Sequence, residues 1–200
     1  MGAETVFISY SHDSPEHSAR VLTLSDKLRS FGVDAELDQY NVRPPQGWPH
    51  WCEERLRPEN AKYVIMICTQ TYRDRVENRV PADEGRGVFW EGSVINRYIY
   101  DQKSNTRFIP VLLGEESAEN IPIPLKGDAS YGVKAFELSD PGFEGLYREL
   151  TAQPGVVKPG LGARVILGAK RRPRQKLLRR CPSLRRSQPF PRPSRPSPTR

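Results

Sequence analysis

An uninterrupted apolar run constrains the fold of this chain most strongly. It comprises residues 63–68, Tyr-Val-Ile-Met-Ile-Cys. A run of strand length without polar alternation is typical of a central strand in a parallel sheet, where helices cover both faces. Neighbouring parallel strands need long crossover connections, which are usually helices. The run therefore predicts an α/β fold in which strands and helices alternate.

The segments on either side of this run alternate in that way. A first strand begins at Thr5 and ends in the polar patch Ser9-Tyr10-Ser11, and a helix starts at Ser14-Pro15. Apolar residues spaced three and four apart form one stripe of that helix, which Gly32 ends. Further strands are predicted at residues 33–37, 107–113 and 131–138, and further helices at residues 48–56, 88–101 and 143–150. Residues 39–47 and 71–87 are rich in proline, glycine or charge and are predicted to be loops.

Five strands separated by helices predict a parallel sheet with right-handed crossovers. The expected fold class is α/β, flavodoxin-like, with strand order 2-1-3-4-5 and helices on both faces. Pro110 lies inside the predicted fourth strand. Because proline has no N–H to donate, we expect the hydrogen-bond ladder to be interrupted there.

The charge of the chain is divided between two segments. Residues 158–200 hold 14 of the 31 Lys and Arg residues and none of the 24 acidic ones, so residues 1–157 carry a net charge of −7. The basic segment also contains eight prolines. It buries too little apolar surface to offset its ordering entropy, and we expect residues 154–200 to be a disordered tail. The alternative is that this tail binds nucleic acid or an anionic membrane.

Composition narrows the class of protein further. An acidic body argues against specific nucleic-acid binding by the folded part, since binding to phosphate needs clustered positive charge. No apolar run approaches the length of a membrane helix, and the amino terminus has no signal-peptide core. The three cysteines show no metal-ligand or disulfide spacing. We therefore expect a soluble cytoplasmic protein with no membrane span.

Several polar side chains are predicted to meet at one edge of the sheet. Ser9, Tyr10 and Ser11 end the first strand, Asp38 follows the second, and Thr69 follows the third. In open α/β sheets, ligands bind at the carboxyl ends of the strands. An acid after the second strand often binds ribose hydroxyls there. For Asp38 by itself a loop start is the favoured interpretation, because no GxGxxG motif precedes it.

Glu91 is the most informative carboxylate in the sequence. It lies in the first turn of the predicted helix over residues 88–101, on the same stripe as Val94, Ile95 and Tyr98. Helix amino termini share the carboxyl edge of a parallel sheet, so Glu91 is predicted to face the hydroxyls. With the aromatic rings of Trp48 and Trp90 it would form a site for a sugar-containing ligand. The alternative is that Glu91 only complements the helix dipole.

Other catalytic and metal sites are not supported by the sequence. The three histidines have no partner at metal-ligand spacing, so no metal site is predicted. Ser9 and Ser11 lack the turn that exposes a nucleophilic serine. Cys68 at a strand end is more typical of a buried apolar residue than of a nucleophile. With no phosphate-binding glycine loop and no kinase signature, no cofactor is predicted.

Taken together, these motifs resemble the SEFIR family, a relative of the TIR domain, and its bacterial branch in particular. The similarity covers about residues 4–153 and leaves the basic tail without a counterpart. The motifs that carry it occur in the family's order: residues 6–13, 38–40, 47–49, 68–69, 87–92, 105–111 and 150–151.

The resemblance implies a signalling domain that forms homotypic contacts with other SEFIR or TIR domains, as a homo-oligomer on activation. Many TIR relatives cleave NAD with a glutamate at the start of the third helix, and Glu91 is the matching position. Its carboxylate would hold the ribose hydroxyls and stabilise an oxocarbenium-like transition state. Tyr10 and Ser11 would border the nicotinamide, and residues 38–47 would form a lid or an assembly surface. For a bacterial member this implies a role in defence.

Two functions remain open at this point. One is an NAD glycohydrolase that assembly activates, and the other is a non-enzymatic adaptor that acts only by binding SEFIR or TIR domains. A receiver-like or flavin-binding domain is disfavoured, because the first strand ends in hydroxyls rather than paired acids.

Overall fold

The computed structural model describes residues 5–77, 79 and 105–169. In these residues five parallel strands form one sheet in the order β2-β1-β3-β4-β5, which confirms the predicted flavodoxin-like fold class and strand order. The strands are β1 (Thr5–Ser9), β2 (Asp34–Glu36), β3 (Tyr63–Ile67), β4 (Phe108–Leu113) and β5 (Tyr131–Val133). The helices in the same ranges are α1 (Pro15–Ser30), α2 (Trp48–Arg55), α3 (Gln70–Val76) and α4 (Pro141–Leu150). The helix predicted at residues 88–101 lies outside the described residues.

The two faces of the sheet are covered by different helices. Alternate strand residues such as Ile8, Ile65 and Val111 pack with α1 and α4 in one buried cluster. Their neighbours in sequence, such as Phe7 and Met66, pack with α2 and α3 in a second cluster. Because successive strand residues point to opposite faces, a strand buried on both faces has to be apolar throughout. The apolar run in β3 therefore lies where the sequence predicts it.

Two strands are shorter than predicted, for identifiable reasons. Strand β2 ends at Glu36, and a 3-10 turn follows at Asp38–Tyr40. Strand β5 ends at Val133 because the next two backbone N–H groups, at residues 134 and 135, donate to the carboxylate of Asp140. The same carboxylate accepts from the backbone N–H of Gly142 and caps α4.

The position of Pro110 explains how β4 tolerates a proline between two strands. The N–H of Val64 donates to the carbonyl of Arg107, and that of Cys68 donates to Val111, so odd-numbered residues of β4 bond to β3. Pro110 therefore faces β5, whose pairing with β4 begins only at Val111. The missing N–H falls just before that ladder starts, which matches the expected interruption.

The prediction of a loop from residue 71 is wrong for residues 71–76, which form most of α3. The side chain of Thr69 accepts a hydrogen bond from the backbone N–H of Tyr72 and caps the helix. Tyr72 and Val76 lie one turn apart and are both buried. This buried pair, hidden among charged neighbours, stabilises a helix that charge content alone does not indicate.

The carboxyl-terminal part of the chain is described only up to residue 169. The compact unit that contains the sheet extends to Lys158, and residues 159–169, which belong to a separate unit, have neither helix nor strand. Disorder of residues 154–200 as a whole stays a prediction. No helix in the described ranges has the length and apolar content needed to cross a bilayer.

Close packing of α4 on β5 gives a first testable prediction. A Cβ added to Gly142 would overlap the backbone carbonyl of Gly132, which the strand holds in place. Gly142→Ala should therefore lower the free energy of unfolding by about 1–3 kcal/mol, although alanine is the better helix former by about 1 kcal/mol. Gly132→Ala is the control, because its added Cβ meets no atom within 4 Å. Urea unfolding should separate the two variants, and equal stability would contradict this packing.

The cap of α3 gives a second prediction. Thr69→Val keeps the shape of the side chain but removes the cap and leaves the buried hydroxyl of Ser11 without its partner. The expected loss of unfolding free energy is about 2–4 kcal/mol, the sum of a lost cap and an unpaired buried group. Thr69→Ser keeps the hydroxyl and should lose clearly less. A valine variant as stable as the serine variant in urea unfolding would disprove the cap's role.

Candidate functional site

The hydroxyls at the end of β1 converge with the start of α3. The Oγ of Ser9 and the phenol of Tyr72 share a hydrogen bond of 2.8 Å, and the Oγ of Ser11 lies 3.2 Å from the Oγ1 of Thr69. All four side chains are buried. Strands β1 and β3 are parallel and in register, with Ser9 beside Met66, so their carboxyl ends meet at one edge. We call Ser9, Ser11, Thr69 and Tyr72 the hydroxyl cluster.

Side chains of the hydroxyl cluster hydrogen-bond to one another. Buried alcohols need partners, and within the cluster each hydroxyl supplies one for another. This fixes the geometry of the edge between β1 and β3 without placing a charge there. Ser9, Ser11 and Thr69 thus meet as the sequence predicts. Their role in ligand binding stays a prediction.

Tyr10 lies on the opposite face of the sheet, against the α1 side of the core. Its phenol oxygen accepts a hydrogen bond of 2.8 Å from the Nε2 of Gln39, which also donates to the carbonyl of Ser18. Burial, together with the negative charge of Asp38, raises the pKa of Tyr10 well above its ordinary value. Its phenol is therefore protonated at neutral pH and remains a neutral group beside the edge.

Asp38 and His12 join the loops that follow β2 and β1. The Nε2 of His12 lies 2.8 Å from the Oδ2 of Asp38, and the His12 ring packs 4.7 Å from the ring of Tyr10. The other carboxylate oxygen of Asp38, Oδ1, is buried and has no regular hydrogen bond to a described residue, although the Tyr10 phenol interacts with this carboxylate. An unpaired buried acceptor is costly unless a donor reaches it. Asp38 thus interacts with both His12 and Tyr10 at this edge.

Three residues that make contacts at this edge, His12, Gln39 and Tyr72, are not predicted from the sequence, for different reasons. His12 has no local signal for this contact, because its partner Asp38 lies 26 residues away and only the adjacency of β1 and β2 brings the two loops together. Gln39 lies in the motif at residues 38–40, which does not by itself predict a contact for its side chain. Tyr72 falls in the segment predicted to be a loop, although its four-residue spacing from Val76 is a usable helix signal.

Trp48 is the first residue of α2 and is 41% exposed. Its ring stands edge-on to Trp51 with centroids 5.8 Å apart, and Trp51 packs in the same way on Phe7 of β1. Spacings of three and four place Trp48, Trp51 and Arg55 on one stripe of α2. No contact within the described ranges joins Trp48 to the hydroxyl cluster.

The predicted acid, Glu91, and its neighbour Trp90 lie outside the described residues. The roles given to them in the sequence analysis remain predictions. In the described ranges, no group of three His, Cys, Asp or Glu side chains is placed to hold a metal ion.

Cys68 is not equipped to act as a nucleophile. Its side chain is buried, and burial raises the pKa of the thiol to about 12. Its Sγ donates to the carbonyl of Met66. At neutral pH the thiol is protonated, and a protonated thiol attacks poorly. The described part of the edge therefore carries buried neutral hydroxyls and the Asp38–His12 pair, and no thiolate nucleophile at Cys68.

Comparison with known proteins agrees with this architecture. A model of the TIR domain family matches residues 6–150. Among solved structures that match is the crystal structure of a prokaryotic SEFIR domain, with 28% sequence identity and a TM-score of 0.59. That match covers 80% of this chain and 100% of the other. No curated protein was found to match the chain. The matched residues contain the parallel sheet except for Thr5, together with the hydroxyl cluster, so the chain belongs to the TIR domain family and carries a SEFIR/TIR-like domain.

Proposed function

We propose that this chain is a signalling domain that assembles with copies of itself, or with other SEFIR or TIR domains, and cleaves NAD once assembled. Cleavage breaks the bond between nicotinamide and ribose, and water supplies the group that replaces nicotinamide. The products are nicotinamide, ADP-ribose and a proton. In a bacterial cell such an activity serves defence by depleting NAD.

The observation that carries the proposal is the exposed apolar surface between β2 and α2. Val42, on the loop that starts at the carboxyl edge of the sheet, is 97% exposed, and Trp48, the first residue of α2, is 41% exposed. Exposed apolar groups placed together on a folded domain mark interaction sites more often than isolated ones do. Because the same loop begins at Asp38, contacts made by the loop would act directly on the edge where the ligand is proposed to bind.

Two features support NAD as the ligand. The carboxyl edge carries neutral hydroxyls together with the acidic side chain of Asp38, and carboxylate oxygens are acceptors for the hydroxyls of a ribose. The resemblance to TIR relatives assigns the catalytic carboxylate to Glu91. In this proposal Glu91 holds the hydroxyls of the nicotinamide ribose, and its negative charge stabilises the positive charge that develops as nicotinamide leaves.

The competing function is an adaptor that assembles without turnover. An adaptor would have the same fold and the same exposed loop, so the two functions differ only in whether NAD is cleaved. The carboxylate at position 91 matters for cleavage, whereas assembly through the loop after β2 has no need of it.

The central prediction concerns nicotinamide release by the full chain. Incubated with NAD, the chain should release nicotinamide at a rate per molecule that rises with protein concentration, because assembly activates it. Glu91→Gln removes the charge with little change of shape, and should lower turnover by about 100-fold or more. Chromatographic detection of nicotinamide measures the rate.

Glu84→Gln is the matched control, because it removes a carboxylate seven residues earlier in the chain. It should keep the wild-type rate. No release by wild type at any concentration where it assembles would support the adaptor, and equal loss in both variants would contradict the role of Glu91.

A further inference from the structure

The chain that follows the compact unit exposes a run of aliphatic side chains. Leu161, Val165, Ile166 and Leu167 are between 79% and 98% exposed, in a stretch that has neither helix nor strand. Single exposed apolar residues are ordinary on a protein surface, whereas four within a few residues form an apolar surface that is typical of an interaction site. We call residues 161–167 the aliphatic stretch.

The segment that follows the aliphatic stretch is strongly basic. Residues 170–186 contain nine Lys and Arg residues and no acidic residue. Three leucines, at positions 177, 178 and 184, lie among these charges. We call residues 170–186 the basic stretch. A cluster of this many cations binds anionic partners, which are either the phosphates of a nucleic acid or a membrane that contains anionic lipids.

The apolar residues of the two stretches favour a membrane over nucleic acid. Residues 159–186 contain no Phe, Tyr or Trp, whereas proteins that bind single-stranded nucleic acid stack the bases on aromatic side chains. Aliphatic side chains gain nothing from phosphates in water, but burial in the acyl region of a bilayer removes them from water and is favourable. An aliphatic stretch beside a basic one is therefore typical of a segment that binds an anionic membrane.

The division of charge along the chain supports contact through these two stretches. Residues 1–157 carry a net charge of −7 and are repelled by an anionic surface, whereas residues 158–200 hold 14 cations and no acid. One weak signal gives only marginal membrane binding, and stable attachment takes two. The adjacent stretches supply two signals, which are apolar insertion and electrostatic attraction.

We propose that residues 161–186 bind the surface of a bilayer that contains anionic phospholipids. The side chains of the aliphatic stretch enter the boundary between headgroups and acyl chains, and the cations of the basic stretch pair with lipid phosphates. The contact is peripheral and does not span the bilayer. It requires neither cleavage of NAD nor assembly of the domain, so it is tested independently of the proposed function.

Vesicle flotation of the full chain tests the proposal. The probes are vesicles of phosphatidylcholine alone and vesicles in which about one third of the lipid is phosphatidylglycerol, so that only the second kind has a negative surface. In dilute buffer wild type should bind the anionic vesicles more tightly by about tenfold or more, and added salt should weaken that binding by screening. Equal binding to both kinds of vesicle, or binding to neither, would overturn the proposal.

A variant of the aliphatic stretch separates apolar insertion from charge. Leu161→Ser with Ile166→Ser and Leu167→Ser keeps every cation, and should bind the anionic vesicles more weakly by about tenfold or more because the inserted apolar surface is lost. Ile123→Ser is the control, because it removes an exposed aliphatic side chain from the domain. It should bind like wild type. A triple variant that binds as tightly as this control would disprove insertion.

A pair of charge variants tests whether the cations that matter lie in the basic stretch. Arg171→Gln with Arg172→Gln should weaken binding to the anionic vesicles by about tenfold or more. Arg192→Gln with Arg195→Gln removes as many charges from the tail outside that stretch, and should weaken binding clearly less. Equal losses would contradict the assignment to residues 170–186. All four positions lie outside the compact unit, so circular dichroism melts should match wild type.

A competition experiment distinguishes the membrane from nucleic acid. Anionic vesicles and a single-stranded DNA oligonucleotide are mixed with the full chain at equal concentrations of phosphate. Wild type should float with the vesicles, because only the bilayer takes up the aliphatic side chains. Wild type that stays with the oligonucleotide would assign the two stretches to nucleic acid and overturn the proposal. The nicotinamide-release experiment contains no lipid, so its result is unaffected by either outcome.

Discussion

The structure depends most on the parallel pairing of β1 with β3 and on the hydroxyl contacts that extend it beyond the strands. Ser9 and Ser11 leave the end of β1 and bond to Tyr72 and Thr69 at the start of α3. These contacts keep a polar edge buried and ordered between two apolar strands. Because buried hydroxyls are costly unless they are paired, the arrangement fixes where the loops at this edge begin.

The fold was largely predictable because its strands are apolar runs of distinct length. Burial on both faces leaves a continuous pattern in β3 and β4, and the helix over residues 15–30 carries a clear stripe. The sequence does not predict α3, because charged residues surround its buried Tyr72 and Val76. A threonine such as Thr69 indicates a helix start only where a recognisable helical pattern follows it. The early end of β5 is also not predictable from the strand itself, since it depends on the carboxylate of Asp140 several residues later in the chain.

The candidate site was predictable only in part. Topology places strand ends together, so Ser9, Ser11 and Thr69 were correctly expected at one edge. The pairing of His12 with Asp38 and the packing of Tyr10 with Gln39 depend on side-chain geometry between loops, for which sequence spacing has no signal. The catalytic role of Glu91 comes from resemblance to relatives. It depends on a segment outside the described residues and therefore stays a prediction.

The proposed function requires NAD to bind at the edge where the hydroxyl cluster lies and the loop after β2 to contact another domain. The most direct test of this joint claim is an experimental structure of the assembled full chain with a non-cleavable NAD analogue. The account predicts the Glu91 carboxylate within about 3 Å of the nicotinamide-ribose hydroxyls, at the edge where the hydroxyl cluster lies. A carboxylate at the opposite edge of the sheet, or a nucleotide bound away from Asp38, would contradict it.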